Sequence, residues 1–235
     1  MIKAVLFDVD NTLLDFDAYV RESIKNGFRE FGLGDYDDTM FDTFTEINNR
    51  LWRQIEQGSI TYSALYANRW NLIFEALGVS FDGERFETYF REQLFDNAIP
   101  IDGAIKILRY LEGRYLLCVA SNGPYEQQLN RLKVGGMLPF FSKCFISEKI
   151  GASKPSKAFF LHALSEINAE LEKRGEAALN PKEILMVGDS LTSDIAGALG
   201  VGFQTCFFDK HQKGETGDLP IDHVIGKLEE LSSFL

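Results

Sequence analysis

Cysteine and histidine are scarce in this chain, with three of each among 235 residues. Cys118, Cys144 and Cys206 are odd in number, lack CxxC spacing and lie in apolar stretches, which excludes a disulfide framework and points to reduced core thiols. His162, within "AFFLHALSEI", is expected on a helix surface or in a core rather than as a metal ligand. No apolar run approaches the ~20 residues needed to span a bilayer, so no membrane association is expected. One lysine and a short apolar run precede Asp8, which is not the pattern of a signal peptide. A cytoplasmic location is expected. Basic charge is in deficit, with 24 Lys and Arg against 35 Asp and Glu, a formal net charge of −11. That balance argues against a nucleic acid polymer or an anionic lipid surface as partner. An anionic small molecule would need a locally positive pocket. Internal repeats and low-complexity tracts are absent.

The chain has short apolar runs separated by helical patterns. Residues 2–7 are apolar apart from Lys3, as in a strand buried on both faces of a parallel sheet. Comparable runs are "YLLCVASNG" (115–123), "KCFISE" (143–148), "EILMVGDS" (183–190), "FQTCFF" (203–208) and the weaker "DHVIG" (222–226). Between them lie "GAIKILRYLEG", "YEQQLNRLKVGG", "SKAFFLHALSEINAELEKRG", "TSDIAGALG" and "KLEELSSFL", several closed by the glycine typical of a helix C-terminus. Strand alternating with helix predicts an α/β fold with a doubly wound parallel sheet.

One region breaks the alternation. From residue 17 to 98 the sequence is aromatic and amphipathic without a convincing strand, which predicts a helical domain inserted after the first strand. Residues 1–16 and 99–235 would form the α/β core, with "DNAIPIDG" as the return linker. Most aromatics of the insertion, Trp52, Tyr62, Tyr66 and Trp70 among them, are expected to pack its core, with one or two free to stack on a base.

In an open parallel sheet, ligands bind beyond the carboxyl ends of the strands. Asp8 and Asp10 follow the first strand, Ser121 and Asn122 follow "YLLCVA", Lys154 lies beyond "KCFISE", and Asp189 follows "ILMVG" with Asp194 five residues later. Singly, each has an ordinary reading: an aspartate at a strand end forms turns or caps helices, and "SNG" is a turn. Their gathering on one edge makes a common site the better account.

In that order the chain resembles the haloacid dehalogenase superfamily. "DVDNT" (8–12) is similar to its nucleophile motif, Ser121 to the second motif, Lys154 to the third-motif lysine, and "GDSLTSD" (188–194) to the fourth. A helical insertion directly after the first motif resembles the cap of the dehalogenases, β-phosphoglucomutases, phosphoglycolate phosphatases and pyrimidine nucleotidases. The resemblance implies a Rossmann-like core and a small-molecule phosphomonoester substrate.

It also implies roles that the residue types suit. An ionised carboxylate such as Asp8 can attack phosphorus to form an aspartyl phosphate. Two like charges ~4 Å apart repel by about 4 kcal/mol at an effective dielectric of 20, so cations are required. Mg²⁺, with Mn²⁺ as an alternative, would be held by Asp8, Asp189 and the backbone carbonyl of Asp10. Lys154 would neutralise the nucleophile and the phosphate. Thr12, Ser121 and the amide of Asn122 would bind phosphoryl oxygens, and Asp194 would orient Lys154 or a metal-bound water. Asp10 would be the general acid and then the base.

Asp10 also separates reaction types, because the dehalogenases of the family lack it. "SNG", "GASKPSKAFF" and "GDSLTSDIAGALG" most resemble the pyrimidine 5′-nucleotidase group. A sugar-phosphate or phosphoglycolate phosphatase, a β-phosphoglucomutase-like phosphotransferase and a haloacid dehalogenase are the alternatives within the family. A receiver-like signalling protein or a phosphate-binding relative would be a different class. A receiver's acceptor aspartate follows a middle strand and has no inserted domain after it, and a mere phosphate binder would be expected to have lost Asp8 or Asp10. The oligomeric state is not legible.

Overall fold

Six short apolar segments pair side by side into one parallel sheet, and their alternating side chains feed a core on each face. The computed structural model describes every residue except Lys213 and Glu215. In chain order the elements are β1 (Ala4–Phe7), α1 (Phe16–Phe31), α2 (Asp38–Glu56), α3 (Tyr62–Leu77), α4 (Gly83–Asp96), α5 (Ala104–Leu111), β2 (Leu116–Ser121), α6 (Tyr125–Val134), β3 (Lys143–Ile146), α7 (Ser147–Ile150), α8 (Lys157–Lys173), β4 (Ile184–Gly188), α9 (Ala196–Leu199), β5 (Gln204–Phe208) and β6 (His223–Ile225). The chain divides into two units, one formed by Met1–Asp15 with Ala98–Leu235 and the other by Phe16–Asn97. The sequence reading set these boundaries at 16/17 and 98/99, one residue further along.

In the first unit the strand order is β3-β2-β1-β4-β5-β6, with every neighbouring pair parallel. β1 lies between β2 and β4, with Phe7 in register with Val119 and Val187. Val5, Phe7, Leu117, Val119, Leu185 and Val187 pack on one face against Ile107, Leu108 and Leu111 of α5 and Leu132 of α6. Ala4, Leu6, Cys118, Ala120, Ile184 and Met186 pack on the other face against Phe159, Phe160 and Ala163 of α8. Burying a strand on both faces requires the continuous apolar runs seen in the sequence. This is the doubly wound parallel sheet expected.

Three predicted elements take other forms. "KCFISE" leaves the sheet at Ile146 and turns into α7. "TSDIAGALG" opens as a π-helical turn over Leu191–Ile195 before the single turn of α9, because Asp194 directs its side chain into the site instead of outward. "KLEELSSFL" is a 3₁₀ helix over Leu228–Ser233 rather than an α-helix, its Ser232 and Ser233 hydroxyls donating to the carbonyls of Glu229 and Glu230 at 2.7 Å. All three cysteines are free. His162 is exposed on α8.

The unit Phe16–Asn97 is wholly helical among its regular elements. Asp37, Thr61 and Asp82 cap α2, α3 and α4 with side-chain acceptors, and Gly78 ends α3 in the left-handed conformation that glycine adopts without strain. Its core is aromatic: the buried Trp70 ring lies 4.2 Å from Phe86, 5.4 Å from Phe90 and 5.6 Å from both Phe44 and Phe74. Arg69 is buried beside it, bonded in a two-pronged pair to Glu87 at 2.6 and 3.0 Å and to Asn48 at 2.9 Å. Trp52, Tyr62 and Tyr66 are half-buried, forming a row with centroids 5.8 and 6.3 Å apart. No helix among the described residues is long and apolar enough to cross a membrane.

Candidate active site

The site forms where β1, β2 and β4 end. Asp8 extends the ladder by one step, its N–H donating to the Val187 carbonyl at 2.9 Å. The chain then turns sharply. Asn11 takes a left-handed φ of 59°, and the N–H groups of Leu13 and Leu14 return to the Val9 carbonyl at 2.9 Å. Asparagine tolerates that conformation better than most residues. Further on, Asp15 N–H donates to the Ile99 carbonyl and Ile101 N–H to the Leu13 carbonyl, so the segments at either end of the insertion pair within this unit.

Lys154 is the centre of the charge arrangement. Its ammonium donates to Asp8 Oδ1 at 2.6 Å, Asp194 Oδ1 at 2.6 Å and the Ala120 carbonyl at 2.7 Å, which employs all three donors of a buried lysine. Burial alone would lower its pKa, but the Asp194 and Asp8 carboxylates outweigh it and hold the ammonium charged well above the usual lysine range. Asn122 fixes the lysine from behind. Its amide nitrogen donates to the Lys154 carbonyl and its amide oxygen accepts from the Lys154 N–H, both at 2.8 Å.

The carboxylates outnumber the cations. Oxygens of Asp8, Asp189 and Asp194 lie within 4.8 Å of one another. Burial raises the Asp8 pKa to about 7 against the lowering effect of Lys154, with Asp194 raising it further. Asp189 is likewise raised well above the carboxylate range, by burial and then by Asp8 and Asp194. Asp8, buried, and Asp189, half-buried, stand beside a single lysine that is bonded to Asp8 and Asp194, so negative charge exceeds positive here, and these hard oxygen donors fit Mg²⁺ or a similar ion. Asp194 is already committed, with Oδ1 on Lys154 and Oδ2 accepting the Ser190 N–H at 3.0 Å. Asp8 and Asp189 are therefore the carboxylates suited to ligate a cation. Thr12 donates its hydroxyl to Asp189 Oδ1 at 3.3 Å, so it supports that carboxylate in addition to any contact with phosphate. Gly188 leaves room for Asp194: a Cβ there would meet Asp194 Oδ2 at 2.2 Å.

Two site residues were missed by the sequence reading. Arg131 Nη1 lies 2.5 Å from Asp10 Oδ1, and Gln128 Nε2 donates to Asp10 Oδ2 at 2.8 Å and to Ser121 Oγ at 2.9 Å. Both come from α6, the helix that follows "SNG". The available signal was their i, i+3 spacing one turn into that helix, which puts them on one face. All eight residues singled out from the sequence thus converge on this strand edge: Lys154 joins Asp8 to Asp194, Thr12 joins Asp189, Asn122 braces Lys154, and Gln128 joins Asp10 to Ser121.

Comparison with known proteins decides the family. A sequence model of the haloacid dehalogenase-like hydrolases matches residues 2–202. The chain belongs to this family. This haloacid dehalogenase-like hydrolase is 31% identical to the HAD-hydrolase YfnB of Bacillus subtilis over 99% of the chain and 95% of the relative. A crystal structure of YfnB bound to magnesium superposes with a TM-score of 0.86, covering 99% of this chain and 97% of that one. Pyrimidine 5′-nucleotidase PynA of Streptococcus pneumoniae is 32% identical over 89% of the chain and 84% of its own length. Pyrimidine 5′-nucleotidase YjjG of Escherichia coli is 28% identical over 98% and 96%. The hydrolase is thus an enzyme with nucleotidase relatives, and the phosphomonoester hydrolysis expected from its four motifs agrees with the activity those two relatives are named for.

Proposed function

We propose that this hydrolase removes phosphate from pyrimidine nucleoside 5′-monophosphates through an aspartyl-phosphate intermediate at Asp8. The observation that carries the reaction is the buried Asp8 carboxylate, 2.6 Å from the Lys154 ammonium and grouped with Asp189. The likeness to two pyrimidine 5′-nucleotidases over most of the chain supports the substrate.

An oxygen of Asp8 attacks phosphorus, the P–O bond to the nucleoside breaks, and Asp10, entering this step as the carboxylic acid with its proton on the oxygen turned to the leaving group, gives that proton to the departing oxygen. Water then attacks the aspartyl phosphate, Asp10 takes its proton, and phosphate leaves with Asp8 restored. Lys154 holds the nucleophile and offsets charge on the phosphoryl oxygens, while Asp194 keeps the lysine in place. Ser121 and the amide of Asn122 donate to the phosphoryl oxygens. Mg²⁺ or Mn²⁺ held by Asp8, Asp189 and the Asp10 carbonyl would supply the charge neutralisation that one lysine cannot.

Phosphate release from pyrimidine and purine nucleoside monophosphates, sugar phosphates and phosphoglycolate, each with Mg²⁺ and with EDTA, tests this reading. The highest kcat/KM is expected for a pyrimidine monophosphate, abolished by EDTA. Release confined to sugar phosphates or phosphoglycolate would overturn the substrate, and undiminished release in EDTA would overturn the metal requirement.

A further inference from the structure

Asp10 is not loose at the edge of the site. Both of its carboxylate oxygens accept from α6, Oδ1 from Arg131 at 2.5 Å and Oδ2 from Gln128 at 2.8 Å. The two donors are themselves joined, Arg131 Nη1 to Gln128 Oε1 at 3.1 Å. Gln128 Nε2 also reaches Ser121 Oγ at 2.9 Å, so one amide group touches the acid/base carboxylate and the phosphoryl-binding hydroxyl together. Arg131 and Gln128 are each 1% exposed, while Asp10 keeps 35% of its side chain open. Gly123 makes room for the amide, since a Cβ there would meet Gln128 Nε2 at 2.6 Å.

Burying a guanidinium and a carboxamide is costly when an apolar residue could fill the same helix face. The arrangement therefore serves geometry more than stability. We propose that Arg131 and Gln128 are positioning residues for Asp10, holding its carboxylate in fixed relation to Ser121 and hence to the bond that breaks. The inference rests on the phosphatase reading above and extends it to two residues of α6. An untethered carboxylate at a half-open position would sample several rotamers, and proton transfer depends on hydrogen-bond reach to the leaving oxygen.

The test separates proton delivery from the rest of the reaction. An aryl ester such as p-nitrophenyl phosphate loses a stable phenolate and needs little help from an acid, whereas the alkyl oxygen of a nucleotide or sugar phosphate must be protonated. Values of kcat/KM, which cover the steps through phosphoryl transfer, are compared for wild type, Arg131→Met and Arg131→Lys with p-nitrophenyl phosphate and with the best alkyl ester from the panel. Arg131→Met is expected to lose about tenfold or more on the alkyl ester and under about threefold on the aryl ester, with Arg131→Lys recovering part of the loss. Equal losses on both esters, or none on either, in protein with a native circular dichroism spectrum would overturn the proposal. If Arg131→Met fails to fold, Arg131→Lys carries the comparison alone, with a smaller loss on the alkyl ester than that expected of Arg131→Met and none on the aryl ester, and equal losses on both would overturn the proposal. Wild-type protein inactive on every ester would overturn the phosphatase reading instead.

Discussion

Lys154 and Asp194 form a buried ion pair at 2.6 Å, and the same ammonium lies 2.6 Å from Asp8. One cation thus ties the end of β1 to the turn after β4, and removing it leaves three neighbouring carboxylates with nothing between them. Lys154→Met is expected to lower kcat about a thousandfold, the scale seen when a charge-stabilising donor is removed. It should also destabilise the metal-free protein by about 3–5 kcal/mol, the cost of leaving buried charges unpaired. Chemical denaturation beside steady-state kinetics checks both, and an active variant would remove Lys154 from the reaction.

Gly188 is required by close approach, not by a left-handed backbone. Gly188→Ala would press a methyl group against Asp194 and push that carboxylate off Lys154. A misplacement of this kind is expected to reduce kcat by about a hundredfold while the sheet remains folded. Activity within a factor of two of wild type, alongside an unchanged far-ultraviolet spectrum, would count against Asp194 as the anchor of the lysine.

The pH dependence of stability follows from Asp8 and Asp189. Without metal their carboxyls titrate above the ordinary range, Asp8 at about 7, chiefly because both are desolvated. The native state then holds more protons than the unfolded state from the ordinary aspartate pKa of about 3.9 up to that value. Their contribution is fully present at low pH and is lost as pH rises through this window. A divalent cation requires the ionised carboxylates, so it should stabilise more where they are already deprotonated. The rise in Tm produced by saturating Mg²⁺ is expected to be larger at about pH 8 than at about pH 5, and the difference should shrink in Asp8→Asn, where only Asp189 still titrates in this window. A rise independent of pH would contradict the assignment of Asp8 as a ligand.

Much of this site is legible in the sequence because a parallel sheet has only one edge where strands finish. Asp8, Ser121 and Asp189 announce themselves by ending apolar runs, and order along the chain supplies the rest. Gln128 and Arg131 sit inside an amphipathic helix whose polar residues look like solvent-facing ones, and only packing reveals that this face turns inward. Thr12 and Asn122 were visible as motif members, but their side-chain partners, Asp189 and the Lys154 backbone, depend on tertiary distances of a few ångströms. The π-helical turn at Leu191–Ile195 was hidden for the same reason, since it exists where Asp194 reaches back to Lys154.

Asp10→Asn should keep Mg²⁺ binding, because the proposed metal contact of this residue is its backbone carbonyl, while losing some stability with the carboxylate that the buried Arg131 pairs with. Turnover of alkyl esters should fall by about 10²–10⁴-fold, the range ascribed to general acid–base catalysis. Titration calorimetry with Mg²⁺ and steady-state kinetics check the two halves, and wild-type turnover would refute the role of Asp10.

The central claim is that phosphorus becomes bonded to Asp8, and Asp10→Asn offers the means to see it, because hydrolysis of the intermediate should slow with loss of the base. The decisive measurement is acid quenching of that variant during turnover of p-nitrophenyl phosphate with Mg²⁺, followed by peptide mass mapping. The account predicts the added mass of one phosphoryl group on the peptide containing Asp8, absent from the same peptide of Asp8→Ala. A phosphoryl group on another residue, or none while phosphate is still being released, would contradict it.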